Sequence, residues 1–242
     1  MVDAKTNRRL LAEEVLVVLS LTFLASAVFA LISVLTQPVK GATSYAASQA
    51  PLFVTQLAQF VFGLAPVWLV VYLLRRSGEG VDAIGLDTDD ARRDAFLGAA
   101  LFVVIAVGGL AIYYGSVKLG VNRFVVPSPP LGHWWTVPAI LMNATQAALT
   151  EEVLVAAFLI TRLQQLSWSP HASIVASAVL RGSYHLYQGW GGFLGNVAMG
   201  LIFGWVFARS RRAWPLIVAH FLLDVSAAIG YVLFRERLPG FS

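Results

Sequence analysis

The stretch ALTEEVLVAAFL, residues 148–159, places two adjacent glutamates inside an otherwise apolar run. Only 12% of the 242 residues are charged and 58% are hydrophobic, whereas about a quarter of a soluble domain is charged. The composition therefore predicts an integral membrane protein. Because open strands leave backbone groups unsatisfied in lipid, the apolar runs are predicted to be helices.

Apolar segments long enough to cross the bilayer recur along the chain, and they predict an all-α polytopic bundle of about seven transmembrane helices, within a range of six to eight. The predicted spans are 14–35, 53–74, 95–119, 135–159, 172–188, 193–208 and 216–234. We treat residues 1–242 as a single integral membrane domain. Residues 1–134 hold N-terminal spans and loops, and residues 135–234 form a core that carries the chemistry.

Basic residues predict the orientation of the chain. With a cytoplasmic N-terminus, eleven Lys and Arg fall on inside segments and five on outside segments, and one, Arg181, lies within a span. This asymmetry favours a cytoplasmic N-terminus, and we expect a bacterial cell membrane. The net charge of +4 is thus explained by topology, and no nucleic-acid partner is expected. The absence of cysteine excludes thiol nucleophiles and disulfides.

Charged side chains inside spans are costly and usually mark function. In this chain, charged side chains near the centres of spans occur only in the second half. The residues are Glu151 and Glu152, then Arg181 and His185, then His220 and Asp224. The second and third pairs are spaced by four residues, so each pair shares one helix face. Counted at about 1.5 Å per residue, Glu151, His185 and His220 reach similar depths from the predicted cytoplasmic side.

A carboxylate and two imidazoles at one depth are suited to activating water. Glu151 would act as a general base, and His185 would orient the water or carry the proton. His220, positioned by Asp224 one turn away, would stabilise an oxyanion. The set Glu151, His185 and His220 could instead hold zinc with water in the fourth position, so no cofactor is certain and zinc stays an alternative.

Three segments resemble the motifs of the CPBP family of intramembrane proteases, named for CAAX prenyl endopeptidases and bacteriocin-processing proteins and also called the Abi family. The family pattern is Glu-Glu-x-x-x-Arg, then Phe-x-x-x-His, then His-x-x-x-Asn/Asp, each on its own helix. The corresponding segments are EEVLVA (151–156), RGSYH (181–185) and HFLLD (220–224). The resemblance implies a glutamate-type or metal-dependent endopeptidase with Glu151 as base, His185 as its partner, and His220 and Asp224 as oxyanion stabilisers.

Two positions depart from the family pattern. Ala156 replaces the Arg of the first motif, and Arg181 replaces the Phe of the second. A buried carboxylate without a positive partner is expensive. We therefore predict that Arg181 reaches across to Glu152 and supplies the missing cation, with both residues supporting the site.

The leading hypothesis is an intramembrane endopeptidase that cleaves a hydrophobic or membrane-associated peptide or protein with a glutamate-activated water. One alternative is a non-catalytic protein of the same fold that acts in bacteriocin self-immunity or partner regulation, since the family Arg is absent at Ala156. A transporter or proton relay is a further alternative. Inverted repeats typical of transporters would put polar groups in both halves, and this chain confines them to one.

Overall fold

A computed structural model describes residues 4–36, 42–44, 53–126 and 132–234. Almost all of these residues are helical, so the predicted all-α polytopic fold is confirmed. The α-helices are α1 (Ala4–Leu19), α2 (Ala25–Thr36), α3 (Phe53–Gly63), α4 (Ala65–Arg76), α5 (Ala91–Lys118), α6 (Thr136–Glu151), α7 (Leu159–Gln165), α8 (Pro170–Tyr184), α9 (Trp190–Ser210) and α10 (Trp214–Phe234). Two π-helical segments join consecutive helices, Ser20–Leu24 between α1 and α2 and Glu152–Phe158 between α6 and α7.

The number of candidate membrane spans is smaller than the seven predicted. Within the described ranges, five helical segments are long and apolar enough to cross a membrane, or six if the bent pair Arg8–Leu24 and Ser26–Ile32 forms one span. The predicted span 172–188 is wrong in length. Helix α8 has 15 residues, or about 22 Å at 1.5 Å per residue, which is shorter than the roughly 30 Å hydrocarbon layer.

A short parallel ribbon was not predicted from the sequence. Strand β1 (Ala42–Ser44) pairs with strand β2 (Phe124–Val126) through three residue pairs. It ties the connection after α2 to the connection after α5.

The predicted cytoplasmic N-terminus and bacterial membrane stay predictions. Three of the cations used for that orientation, Lys40, Arg235 and Arg237, lie outside the described residues.

The helical segment with the two glutamates forms the centre of the bundle. Of the 18 most apolar consecutive residues of Thr136–Gln165, 67% are buried inside the protein, against 6% for the corresponding residues of Ala91–Lys118. The outer helices expose large apolar side chains, with Phe62 at 76% and Phe96 at 74% of their surface. Such exposure suits a lipid environment. The costly carboxylates are therefore carried by the helix that is best shielded from lipid.

Helices α8 and α9 pack closely at two glycines. A Cβ atom on Gly200 would lie 2.8 Å from the Cα of Ala178, and one on Gly204 would lie 2.9 Å from a methyl group of Ile174. Any larger side chain would push the helices apart. Glycines four residues apart are typical of a close helix contact face, and this face holds the helix of Arg181 against α9.

Candidate active site

The two glutamates lie at a change of helical winding. Glu151 ends α6, and Glu152 begins the π-helical segment Glu152–Phe158, whose seven residues are all buried. In a π-helix the turn is wider than in an α-helix, and such segments often occur at functional sites. Ser177 of α8 donates to the backbone carbonyl of Val155 at 2.6 Å, which satisfies a polar group inside this segment. Glu152 is fully buried, while the side chain of Glu151 keeps 15% of its surface exposed.

Arg181 lies between the two glutamates. Its Nη2 donates to Oε1 of Glu152 at 2.5 Å, and its Nη1 donates to Oε2 of Glu151 at 3.3 Å. The guanidinium also lies 5.7 Å from the ring centroid of Phe203. The contact predicted between Arg181 and Glu152 is therefore present. The cation that the first motif lacks at Ala156 comes from the neighbouring helix.

Oxygen Oε2 of Glu151 is surrounded by donors. Besides Arg181, the hydroxyl of Tyr184 donates to it at 2.7 Å, and Nε2 of His185 lies 3.7 Å away. No hydrogen bond from the described residues reaches the other oxygen, Oε1. One carboxylate oxygen is thus fixed by the protein, and the other can accept a hydrogen bond from water.

The orientation of His185 is set by an amide. Nε2 of Gln188 lies 3.2 Å from Nδ1 of His185 and donates to the hydroxyl of Tyr187 at 3.1 Å. An amide N–H pointing at Nδ1 makes that ring atom the acceptor, so a neutral ring carries its proton on Nε2. Nε2 faces Glu151 at a distance too long for a direct hydrogen bond. A water bound to both groups would fit this arrangement.

His220 is held by the second glutamate. Its Nδ1 lies 2.7 Å from Oε1 of Glu152, and its Nε2 lies 3.6 Å from Oδ2 of Asp224. Oε1 of Glu152 thus receives both Arg181 and His220, whereas its buried Oε2 has no partner among the described residues. The carboxylate fixes the Nδ1–H tautomer or supports an imidazolium, and in either form Nε2 points away from Glu152.

Four of the six predicted site residues line one cavity of about 810 Å³, namely Glu151, His185, His220 and Asp224. Glu152 and Arg181 lie behind its wall. The other lining residues are Phe23, Ser26, Ala30, Gln146, Ala147, Thr150, Tyr184, Tyr187, Gln188, Asn196, Met199, Leu223 and Ala227. The structure therefore brings the separate motifs into a single mixed polar and apolar chamber.

Sequence reasoning missed two contributions to this chamber. Tyr184 was not predicted as a site residue, although it lies three residues after Arg181 and so shares its helix face. The π-helical segment Ser20–Leu24 contributes Phe23, and α2 contributes Ser26 and Ala30. Nothing in its apolar sequence distinguishes these residues from lipid-facing ones.

The zinc alternative can be compared with the side-chain positions. In the part of the chain that the structure describes, no group of three or more His, Cys, Asp or Glu is arranged to hold a metal ion. Glu151 and His185 are neighbours, but Nδ1 of His220 is occupied by Glu152 and its Nε2 faces Asp224. The ligand types suit zinc, whereas this arrangement of side chains would have to change to place all three on one ion. Zinc dependence stays a prediction.

A comparison with protein-family models finds one match. The model described as Rce1-like, type II CAAX prenyl endopeptidase, matches residues 133–226. This region includes α6 to α9 and most of α10, with all three motifs and the whole cluster around Glu151. No curated protein and no solved structure matches the chain.

The match and the motifs together define a class. Over residues 133–226 the chain is similar to the Rce1-like CAAX-type proteases, and this match supports the CPBP resemblance of the three motifs. At this coarse level the chain is an integral membrane protein with a peptidase domain.

Proposed function

We propose that the protein is an intramembrane endopeptidase that hydrolyses a peptide bond of a membrane-associated substrate with water activated by Glu151. One observation carries the proposal: Glu151 at the end of α6, His185 in the turn after α8, and His220 and Asp224 of α10 line the same cavity. A lone buried histidine is readily explained by packing. Four titratable groups facing one chamber in a membrane bundle are not.

The proposed reaction uses the two glutamates in different ways. A water between Glu151 and His185 gives its proton to Oε1 of Glu151, and its oxygen forms a bond to the carbonyl carbon of the substrate. Tyr184 and Arg181 hold Oε2 and so keep the carboxylate oriented. When the carbon–nitrogen bond breaks, Glu151 returns the proton to the leaving amine. Base and acid are then the same group, which is restored at the end of each cycle.

His220 is proposed to stabilise the oxyanion through its Nε2. Glu152 fixes the ring through Nδ1, and a ring that carries a proton on Nε2 can donate a hydrogen bond where negative charge develops. Glu152 is therefore a positioning residue that acts through His220, in addition to its ion pair with Arg181. If zinc binds instead, Glu151, His185 and His220 would hold it, and the metal would supply Lewis-acid polarisation of the carbonyl.

The test is cleavage of a membrane-anchored fluorogenic peptide by purified protein in proteoliposomes. We expect Glu151→Gln to lower kcat by at least about a hundredfold, the size typical for loss of a general base. Glu13→Gln is the matched control, because this glutamate pairs with Arg9 on an exposed helix face far along the sequence from the motifs. Dialysis against a chelator, followed by metal analysis, separates the water-only form from the zinc form.

A non-catalytic role in self-immunity or partner regulation is favoured by one observation, the absence of the family Arg at Ala156. The same assay distinguishes it. Wild-type protein that binds the peptide without cleaving it, with Glu151→Gln behaving identically, would support the non-catalytic role and contradict the protease proposal. Proton or solute flux across the same vesicles, lost in Glu151→Gln, would instead support the transporter alternative.

A further inference from the structure

The turn that carries His185 is held by a segment that is distant in the sequence. His185 follows the last residue of α8, and the 3-10 turn Leu186–Gln188 comes between it and α9. Residues 121–123, in the connection between α5 and α6, contact this turn through main-chain and side-chain hydrogen bonds. We infer that residues 121–123 form a clamp that positions His185 for catalysis, with Arg123 as the positioning residue. The inference rests on the proposed function and deepens it.

The main chains of the clamp and the turn are paired. The backbone N–H of Arg123 donates to the carbonyl of Gln188 at 2.7 Å, and the backbone N–H of Gly191 donates to the carbonyl of Val121 at 3.3 Å. These two bonds lie on either side of Gly189, where the chain turns with a φ of 105°. Because backbone groups inside a protein need hydrogen-bond partners, the clamp satisfies the turn and fixes its path on both sides of the glycine.

Side chains of the clamp add to this pairing. Nη1 of Arg123 donates to the backbone carbonyl of Tyr187 at 2.8 Å. The side-chain oxygen of Asn122 accepts from the backbone N–H of Gly192 at 2.7 Å, and its amide donates to the carbonyl of Arg123 at 3.0 Å. Arg123 and Asn122 are both buried, at 6% and 5% exposure. A buried donor or acceptor that loses its partner is costly, so each of these contacts opposes a movement of the turn.

Gln188 connects the clamp to the imidazole. Its carbonyl accepts from Arg123, and its side-chain amide lies 3.2 Å from Nδ1 of His185. The side chain is closely packed, because a Cβ atom on Gly192 would lie only 2.5 Å from the Cβ of Gln188. A turn released by the clamp would move the amide away from Nδ1, and the ring would no longer be held with Nε2 facing Glu151.

The clamp is itself anchored to the bundle. It continues directly into β2, which pairs with β1, and the backbone N–H of Val125 donates to the hydroxyl of Tyr113 in α5 at 3.0 Å. All of these residues precede 133–226, the region of the family match. A part of the chain outside that match therefore supports the orientation of a site residue within it.

The experiment measures the tautomer of His185 and the rate of cleavage in the same variants. Arg123→Met removes the donor to Tyr187. Arg8→Met is the matched control, because Arg8 also donates to a backbone carbonyl, that of Leu166 after α7 at 2.9 Å, and neither residue lines the cavity. Nitrogen NMR of protein labelled at histidine, reconstituted in nanodiscs at a pH that keeps the rings neutral, reports which ring nitrogen carries the proton.

In wild type we expect His185 to carry its proton on Nε2. Arg123→Met should produce a mixture of the two tautomers, whereas His220, whose Nδ1 is bound by Glu152, should stay unchanged. We expect kcat to fall about ten- to a hundredfold, the size typical of a misplaced catalytic group, with KM within about twofold of wild type. Arg123→Lys retains a donor and should recover part of both readouts. Arg8→Met should leave both unchanged.

A wild-type tautomer at His185 in folded Arg123→Met protein overturns the inference, and so does an equal loss of cleavage in Arg8→Met. An effect confined to KM overturns it as well, since the clamp would then act on substrate binding. If wild type cleaves no peptide, the protease proposal fails, and the tautomer alone decides whether the clamp positions the ring. If Arg123→Met does not fold, Asn122→Ala, which removes the bond to Gly192, takes its place in both measurements.

Discussion

Two buried arginines in this protein have similar immediate contacts, but the glutamates that they bind have different further contacts. Arg181 bridges Glu151 and Glu152, and Arg162 bridges Glu14 and Glu79. Both are 1% exposed, and each guanidinium lies over a phenylalanine ring, at 5.7 Å for Arg181 and 5.4 Å for Arg162.

The difference lies in what the glutamates contact next. The two glutamates bound by Arg181 also contact Tyr184, His185 and His220. One of these glutamates, Glu151, faces the cavity. On the other side, Glu79 contacts the amide of Gln165, which also accepts from Arg162, and the described residues place no imidazole beside it. A buried ion pair is therefore not itself a sign of chemistry. What distinguishes the site is a second layer of titratable groups facing a chamber.

The sharpest way to break the comparison is to remove the arginine of the site. Arg181→Ala leaves two carboxylates without their cation, and breaking a buried ion pair in this way costs about 3–5 kcal/mol. We expect a large loss of thermal stability in detergent and loss of cleavage. Adding Ala156→Arg, which restores the family pattern, should recover part of both. If the single variant is as stable and as active as wild type, the bridging role of Arg181 is wrong.

The matched change at the other arginine should affect stability alone. Arg162→Met removes the link between α7, α1 and the segment after α4. Glu14 and Glu79 keep 13% and 25% of their side-chain surface exposed, so water can solvate them after the change. We expect a smaller loss, about 1–3 kcal/mol, with kcat per folded molecule within about twofold of wild type. A much larger drop in kcat would mean that the two clusters are coupled.

Removing the hydroxyl of Tyr184 tests the layer that distinguishes the site. Tyr184→Phe deletes one hydrogen bond to Glu151, and a bond to a charged group is worth about 1.5–3 kcal/mol. The ring packing against Phe23 at 4.5 Å is retained, so the loss of stability should not exceed that of the hydrogen bond. We expect kcat to fall about tenfold with little change in KM, since the hydroxyl orients the base and not the substrate. An effect confined to KM would instead place Tyr184 in substrate binding.

The comparison also explains which features could be predicted from the sequence. The Arg181–Glu152 pair was predictable. The family arginine is absent at Ala156, a buried carboxylate needs a positive partner, and Arg181 is the cation that the next motif gains. The bond from His220 to Glu152 was not, since it depends on how three helices are rotated about their axes. The π-helical segment changes that rotation just after Glu151. A pattern of apolar residues does not encode it.

The length of α8 was mispredicted for a related reason. Residues 172–188 form a mixed apolar run, so their composition does not indicate that the helix ends at Tyr184. The structure ends the helix there, continues with the short 3-10 turn Leu186–Gln188, and turns at Gly189 with a φ of 105°. A side chain larger than glycine is strained at that angle. The turn places Gln188 beside His185, so the error in length concealed one support of the site.

A third arginine extends the comparison to a cluster that water reaches. Arg212, between α9 and α10, donates to Asp87 at 2.6 Å and to Asp94 at 2.7 Å. The hydrogen bond from Arg212 holds the pKa of Asp87 below its ordinary value of 3.8. This pairing therefore stabilises the fold at pH above the ordinary value and is lost as pH falls through the lowered pKa.

We expect the thermal unfolding temperature to decline on the acid side of about pH 4, and we expect Asp87→Asn to remove that part of the decline while leaving neutral-pH cleavage unchanged. The effect should be the smallest of the four, because Asp87 keeps 24% of its side-chain surface exposed and Arg212 keeps Asp94 as a partner in the variant. An Asp87→Asn variant with an unchanged acid decline would assign it to other carboxylates. A variant with altered cleavage would show that the Arg212 cluster is coupled to the site, and titratable groups beside an ion pair would then no longer separate functional ion pairs from structural ones.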